Sequence, residues 1–191
     1  TASTQRPQRL LFTALACLTL LATPAAAAQS FTVGSDHWQD GEPTPSETVY
    51  SGFGCSGQNI SPELHWSNAP AGTKSFAVTV YDPDAPTGSG WWHWIVYNIP
   101  ASAEGLDAGA GSTDPSALPR GAAHGPNDYG KRVYGGPCPP EGADPHRYRL
   151  RVFALDTDTL PVPADASAAL IGFQLRAHAL AQATIEAVYS R

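Results

Sequence analysis

The sequence predicts a mainly β protein with a peripheral helix near its C-terminus. Residues 75–82, 92–99 and 147–155 are rich in β-branched and aromatic side chains and alternate with period two. Convincing helical spacing occurs once, after Asp165, and Gly and Pro punctuate most of the remainder.

Taken in order, residues 1–28 read as a secretory leader. Arg6 and Arg9 precede an apolar run from Leu10 to Leu21, and small residues through Ala28 supply an A-x-A cleavage pattern. Twelve apolar residues are too few for a bilayer core, which needs about 20, so no transmembrane segment is expected. Without the leader and its two arginines, 163 residues remain, with 9 Lys+Arg against 17 Asp+Glu and a net charge of −8. That length suits one domain over residues 29–191. The acidic balance argues against nucleic acid or an anionic membrane as partner.

Residues 31–48 read as an edge strand and a loop broken by Pro43 and Pro45. Gly52, Gly54 and Gly57 make a tight turn around Cys55, Leu64 and Trp66 mark a short strand, and Pro70-Ala71-Gly72 turns the chain. In the first strong strand Phe76, Val78, Val80 and Asp82 share a face. The break Asp82-Pro83-Asp84-Ala85-Pro86 leads to a second strand, where His93 falls on the parity of Ile95, Tyr97 and Ile99. Residues 101–146 show no helical period, so their order must come from fixed turns. In the third strand Tyr148, Leu150, Val152 and Ala154 face in while Arg147, Arg149 and Arg151 face out. Asp165 or Ser167 can cap a helix from Ala168 to about Ala181, with Leu170, Phe173, Ala177 and Leu180 at helical spacing; residues 184–189 alternate as a last strand.

Cys17 lies in the leader, leaving Cys55 and Cys138. In an exported chain that pair favours a disulfide over two separate buried thiols, worth about 4 kcal/mol in chain-entropy terms. No two of the six histidines lie within four residues, so local zinc-ligand spacing is missing; no metal or cofactor is expected. The chain has no phosphate-binding P-loop, no dinucleotide GxGxxG, no HExxH and no GxSxG elbow.

Three strand ends carry what chemistry remains. Asp82 sits on an inward parity, where a carboxylate needs a partner or a raised pKa; the plainer alternative is an Asp capping a turn. His93 lies among Trp91, Trp92 and Trp94, where a satisfied structural histidine is the alternative. Tyr134-Gly135-Gly136-Pro137-Cys138-Pro139-Pro140 offers a stiff loop with few, exposed N–H groups, an anion nest or merely a surface turn. His146 and Tyr148 point to one side beside it. Arg147 is expected to pair with Asp128 or Asp144, and Asn59-Ile60-Ser61 matches a glycosylation pattern.

Asp82-Pro83-Asp84-Ala85-Pro86, the spacing of Trp91, His93 and Asn98, and Gly136-x-x-Pro139-Pro140 with His146-Arg147-Tyr148 together resemble the phosphatidylethanolamine-binding proteins, also called Raf kinase inhibitor-like proteins. The run from Gly54 to Pro62 and the loop Gly136-Pro137-Cys138-Pro139-Pro140 resemble the bacterial YbhB/YbcL subgroup. The resemblance implies a large central β-sheet packed against a smaller one. It also implies an anion pocket using the side chains of Asp82, His93 and Tyr148 and the backbone N–H of Cys138. Asp84, Pro86, Trp91, Gly136, Pro139 and His146 would form its walls.

The function expected from that resemblance is a non-enzymatic, periplasmic or extracellular module. It would bind phosphate, a phosphorylated small molecule or a lipid headgroup, and modulate a protein partner. One alternative is an inhibitor of a protease or another enzyme acting through residues 101–133. Another is a hydrolase or lyase using Asp82, Asp84, His93 and His146, for which no activated nucleophile is evident. An ionised Asp82 would repel a phosphate dianion by several kcal/mol. A protonated monoanion is therefore expected, its P–OH donating to Asp82 while His93, Tyr148 and the Cys138 amide donate to the other oxygens.

Overall fold

The structure is a computed structural model that describes residues 1–2 and 29–191; apart from Thr1 and Ala2, the expected leader lies outside the described residues. In chain order the strands are β1 (Thr32–Gly34), β2 (Ser51–Gly52), β3 (Cys55–Ser56), β4 (Leu64–Ser67), β5 (Ser75–Asp82), β6 (Trp91–Pro100), β7 (Gly105–Leu106), β8 (Ala123–His124) and β9 (His146–Leu155). Helix α1 (Ala168–His178) and the last strand, β10 (Ala179–Tyr189), complete the fold.

Five strands form an antiparallel sheet in the order β10-β9-β5-β6-β8; β1, β4 and β7 form a smaller sheet, and β2 with β3 a short hairpin. The predicted large and small sheets are thus both present. They bury a common core in which Phe76, Val78, Val80, Leu150 and Val152 meet Leu64, Trp66 and Leu106. The other face of the large sheet, with Ala77, Ile95, Phe153 and Leu155, packs against Ile171 and Leu175 of α1. Covered on both faces, β5 buries all its residues except Tyr81.

The irregular stretch 101–146 is held as expected by turns and side chains. Asn127 accepts from the Lys131 N–H and donates to the Val133 carbonyl, and the Arg132 guanidinium donates to the carbonyls of His124 and Ala164.

Two expectations fail here. First, Leu170 and Phe173 do not face the sheet: they are exposed, and the buried helical positions are Ala168, Ile171 and Leu175. Apolar residues surround most of α1, so spacing alone did not select the packing face. The Ser167 hydroxyl caps the helix by accepting from the Leu170 N–H, but the helix stops at His178. Leu180 already belongs to β10, whose backbone pairs with β9 from Ala179 onward.

Second, β6 does not keep a single parity. Val80 pairs with Trp94 but Tyr81 with Trp92, and Phe76 pairs with Ile99 but Val78 with Val96. Each step opposes an extra β6 residue to β5, making two β-bulges. One bulge contains Asn98, at φ 59°, whose side chain accepts from the Leu160 N–H. The other contains His93. The bulge turns His93 away from the α1 face occupied by Ile95 and Tyr97 and toward the inter-sheet side occupied by Tyr148.

Candidate functional site

The ends of β5, β6 and β9 surround a cavity of about 270 Å³. Asp82, Pro86, Trp91, His93, Cys138, Pro139, His146 and Tyr148, all singled out in the sequence, line it.

Asp82 ends β5 at a turn whose φ values are fixed by Pro83 and Pro86. Its Oδ1 accepts the N–H groups of Asp84 and Ala85 at 2.7 and 3.1 Å, and its Oδ2 lies 2.7 Å from His146 Nδ1. Both residues of the pair are almost fully buried. The turn-capping role and the inward carboxylate are therefore one arrangement. His146 Nδ1–H and the two backbone N–H groups all point at the carboxylate, so the repulsion expected between Asp82 and an arriving anion is countered by donors inside the fold. Asp82 already holds three donors and is poorly placed to take the ligand's proton.

His93 Nδ1 lies 2.7 Å from the Gly135 carbonyl and 3.1 Å from that of Gly136. Carbonyls only accept, so Nδ1 carries the proton and Nε2 is the nitrogen available to the cavity. Burial pushes its pKa down from 6.5 to about 4. At neutral pH the ring holds one proton, and Nε2 is an acceptor. The expected donor at His93 is thus an acceptor.

Donors come from elsewhere. Tyr148 has no exposed surface, packs edge-on against His93 with ring centroids 5.2 Å apart, and its hydroxyl has no hydrogen-bond partner. Burial holds that hydroxyl protonated by pushing its pKa far above the ordinary tyrosine value. The indole N–H of Trp91 is likewise buried and unpartnered.

Asp84 and Gly136 do not line the cavity. The Asp84 carboxylate turns outward to grip Arg147 through Nε and Nη2 at 2.9 and 2.7 Å, and it accepts the Arg147 backbone N–H. The guanidinium holds its pKa down at about 2. This pairing replaces the one expected between Arg147 and Asp128 or Asp144; Asp128 instead accepts the Trp92 N–H. Gly136 stands behind the wall, where its N–H donates to Asn59 Oδ1 at 2.8 Å and a Cβ would collide with the Thr48 carbonyl. Asn59 also donates to the Tyr134 carbonyl, so the amide of the supposed glycosylation pattern is engaged within the fold.

Several lining residues escaped the sequence reading. The Tyr129 ring stacks on Tyr50 at 4.0 Å, stands edge-on to Trp91, and its hydroxyl donates to the Gly136 carbonyl. Phe53, 70% exposed, sits in the turn of the β2–β3 hairpin, and the Cys55–Cys138 disulfide ties that hairpin to the wall loop. Arg191 donates from Nε to the Pro139 carbonyl and brings a cation to the cavity. Neither period nor motif marks these residues, because loop packing brings them in. Among the described residues, no group of three or more His, Cys, Asp or Glu is arranged to hold a metal ion, and no helix is long and apolar enough to cross a membrane.

Comparison with known proteins gives a consistent picture. The chain is 53% identical to the UPF0098 protein YbcL of Escherichia coli over 167 residues, covering 87% of this chain and 91% of that protein. Its identity to YbhB of the same organism is 49%, over 82% of this chain and 98% of YbhB. LppC of Mycobacterium tuberculosis, whose name classes it with lipoproteins, is 40% identical over 84% of this chain and 70% of its own length. The crystal structure of E. coli YbcL superposes with a TM-score of 0.83 at 52% identity, covering 85% of this chain and 99% of that one. The family model described as phosphatidylethanolamine-binding protein matches residues 34–190, and the chain belongs to that family.

Proposed function

We propose that this protein is a non-catalytic, exported module that binds phosphate-bearing anions in the cavity as the protonated monoanion and thereby modulates a partner protein. The observation that carries this reading is the Tyr148 hydroxyl, fully buried at the cavity wall and without a partner. A desolvated hydroxyl left unpaired costs about 1–3 kcal/mol, which a bound oxyanion would recover. Tyr148 and Trp91 donate to the ionised oxygens, and the ligand's P–OH donates to His93 Nε2. The Cys138 loop supplies backbone, and Arg191 adds positive charge. Phe53, Tyr129 and Pro139 offer apolar surface to whatever the phosphoryl group is attached to, and the exposed Phe53 suits contact with a protein partner.

The non-catalytic part rests on the state of the side chains. Sulfur at Cys138 is in the disulfide, Thr87 donates its hydroxyl to the Gly90 carbonyl, and His146 is committed to Asp82. Export rests on the leader pattern of residues 1–28.

Calorimetric titration with inorganic phosphate and with glycerol phosphate from pH 8 to 5 tests the reading. Affinity is expected to rise as pH falls through the second phosphoryl pKa, about 6 for a monoester. Because His93 titrates near 4, the trend in this window reports the ligand's own proton, and Asp82→Asn should preserve its direction. Tyr148→Phe should weaken binding roughly tenfold. Affinity that climbs toward pH 8 would overturn the monoanion, and no binding at any pH would overturn the anion site.

A further inference from the structure

The face of the large sheet under α1 carries a second recess, of about 420 Å³, lined by Arg151, Phe153, Arg176, Ala179, Ala181 and Gln182. It lies where the last turn of α1 leaves the sheet. Arg151 is opposite Thr79 of β5 and Thr184 of β10, one side-chain row from Phe153.

Charge on this recess is not balanced by the fold. All 17 Asp and Glu lie among the described residues, yet neither Arg151 nor Arg176 forms an ion pair. The nearest carboxylate along the sheet, Glu186, is held by Arg149 at 2.6 Å. Arg151 Nε is buried with no hydrogen-bond partner. Burial, together with the neighbouring Arg149 and Arg176 cations, holds the Arg151 guanidinium below its ordinary pKa. A stem packed on Phe153 accounts for the position of Arg151, and a helix C-terminus favours a cation such as Arg176. Neither accounts for a desolvated donor facing a like charge in an acidic protein.

We infer that this recess is a second oxyanion site, which takes the doubly charged form of phosphate or of a phosphate monoester between the guanidiniums of Arg151 and Arg176. Guanidinium forks match phosphate oxygens bidentately, Gln182 adds an amide, and Phe153, Ala179 and Ala181 supply an apolar floor. The groups facing the pair are Arg149 and Glu186 along the sheet and Tyr81 on β5, whose hydroxyl donates to the Ser89 carbonyl. His178 at the end of α1 is turned to Asp156, 2.8 Å away. No carboxylate lines the recess to take a ligand proton, so this site should prefer the dianion and bind more tightly as pH rises through the second phosphoryl pKa. That trend is opposite to the one expected at the cavity, so success or failure at one site is readable apart from the other.

The test follows the arginine Nε–H resonances by ¹H–¹⁵N NMR while the full chain is titrated with inorganic phosphate or glycerol phosphate, with sodium chloride matched in ionic strength. The Arg151 signal should shift saturably with phosphate and not with chloride, more tightly at pH 7.5 than at pH 5.5 if the second phosphoryl pKa of about 6 governs binding. Tighter binding of glycerol phosphate than of free phosphate identifies a monoester as the guest; the reverse identifies the free ion. Arg176→Gln should weaken the response roughly tenfold, Arg176→Lys should weaken it less, and Tyr148→Phe should leave it unchanged. A shift that stays linear, that chloride reproduces, or that survives Arg176→Gln overturns the site. Because Arg176 is exposed on α1, its replacement leaves the fold available for the measurement.

Discussion

Where the ends of β5, β6 and β9 form the cavity, the charges have partners built in, buried at Asp82 and part-exposed at Asp84. Asp82 holds His146 and two backbone N–H groups, and Asp84 beside it grips Arg147. Where the same sheet runs out from under α1, Arg151 and Arg176 face one recess with no carboxylate between them. The same strand, β9, supplies both regions: His146 and Tyr148 to one, Arg151 and Phe153 to the other. The difference teaches that preorganisation is local. A charge that must stay buried is paired by its neighbours, while one at an open recess can be left for a guest.

Removing the built-in partner is the hardest test of that contrast. His146→Ala should destabilise the protein by roughly 3–5 kcal/mol, because it leaves a buried carboxylate uncompensated; Asp82→Asn in the same background should restore much of the loss. Urea unfolding of the single and double variants measures both, and an additive pair would break the comparison. Next in size is the disulfide. Replacing both Cys55 and Cys138 by Ser should lower stability by about 4 kcal/mol and weaken phosphate binding at the cavity, while leaving the Arg151 resonance where it was.

A smaller effect separates the regions by pH. The folded pKa of His93 is depressed to about 4 from an ordinary 6.5, so the stability it contributes is present above 6.5 and lost as pH falls toward 4. The loss amounts to roughly 3 kcal/mol at most, and His93→Gln should flatten that limb of the stability curve. The smallest effect is expected on the other face: Arg151→Met should leave Tm unchanged or slightly raised, since an unpaired, partly desolvated cation contributes little to the fold. A large loss there would show that Arg151 is structural and erase the contrast.

Much of this was legible in the residues, because burial and period act locally. Ser75–Asp82 forms a strand over the bounds its alternation marks, and Ser167 caps the helix as its spacing suggests. The Asp82–His146 pair could have been found as well. An inward carboxylate at the end of one strand and an inward histidine at the start of its neighbour are natural partners in a core that tolerates no lone charge. Other features left no local trace. Arg191, Tyr129 and Phe53 reach the cavity through loop packing, and Asp84 turned outward because Arg147, next on the adjacent strand, offered a bidentate grip. The exposed side of α1 could not be told from its buried side, since Leu170 and Phe173 are as apolar as Ile171 and Leu175.

The bulge at His93 has a consequence for how this chain can change. One surplus residue in β6 is what sets the imidazole and the Trp94 ring on the same side of the sheet. Length in that strand therefore carries information that composition does not. Deleting Trp92 would restore regular pleating and swing the imidazole to the wrong side, with most of the recognisable motif still spelled out. Two chains could then read almost alike and yet differ in whether a receptor exists, so an alignment gap at this point would outweigh many substitutions.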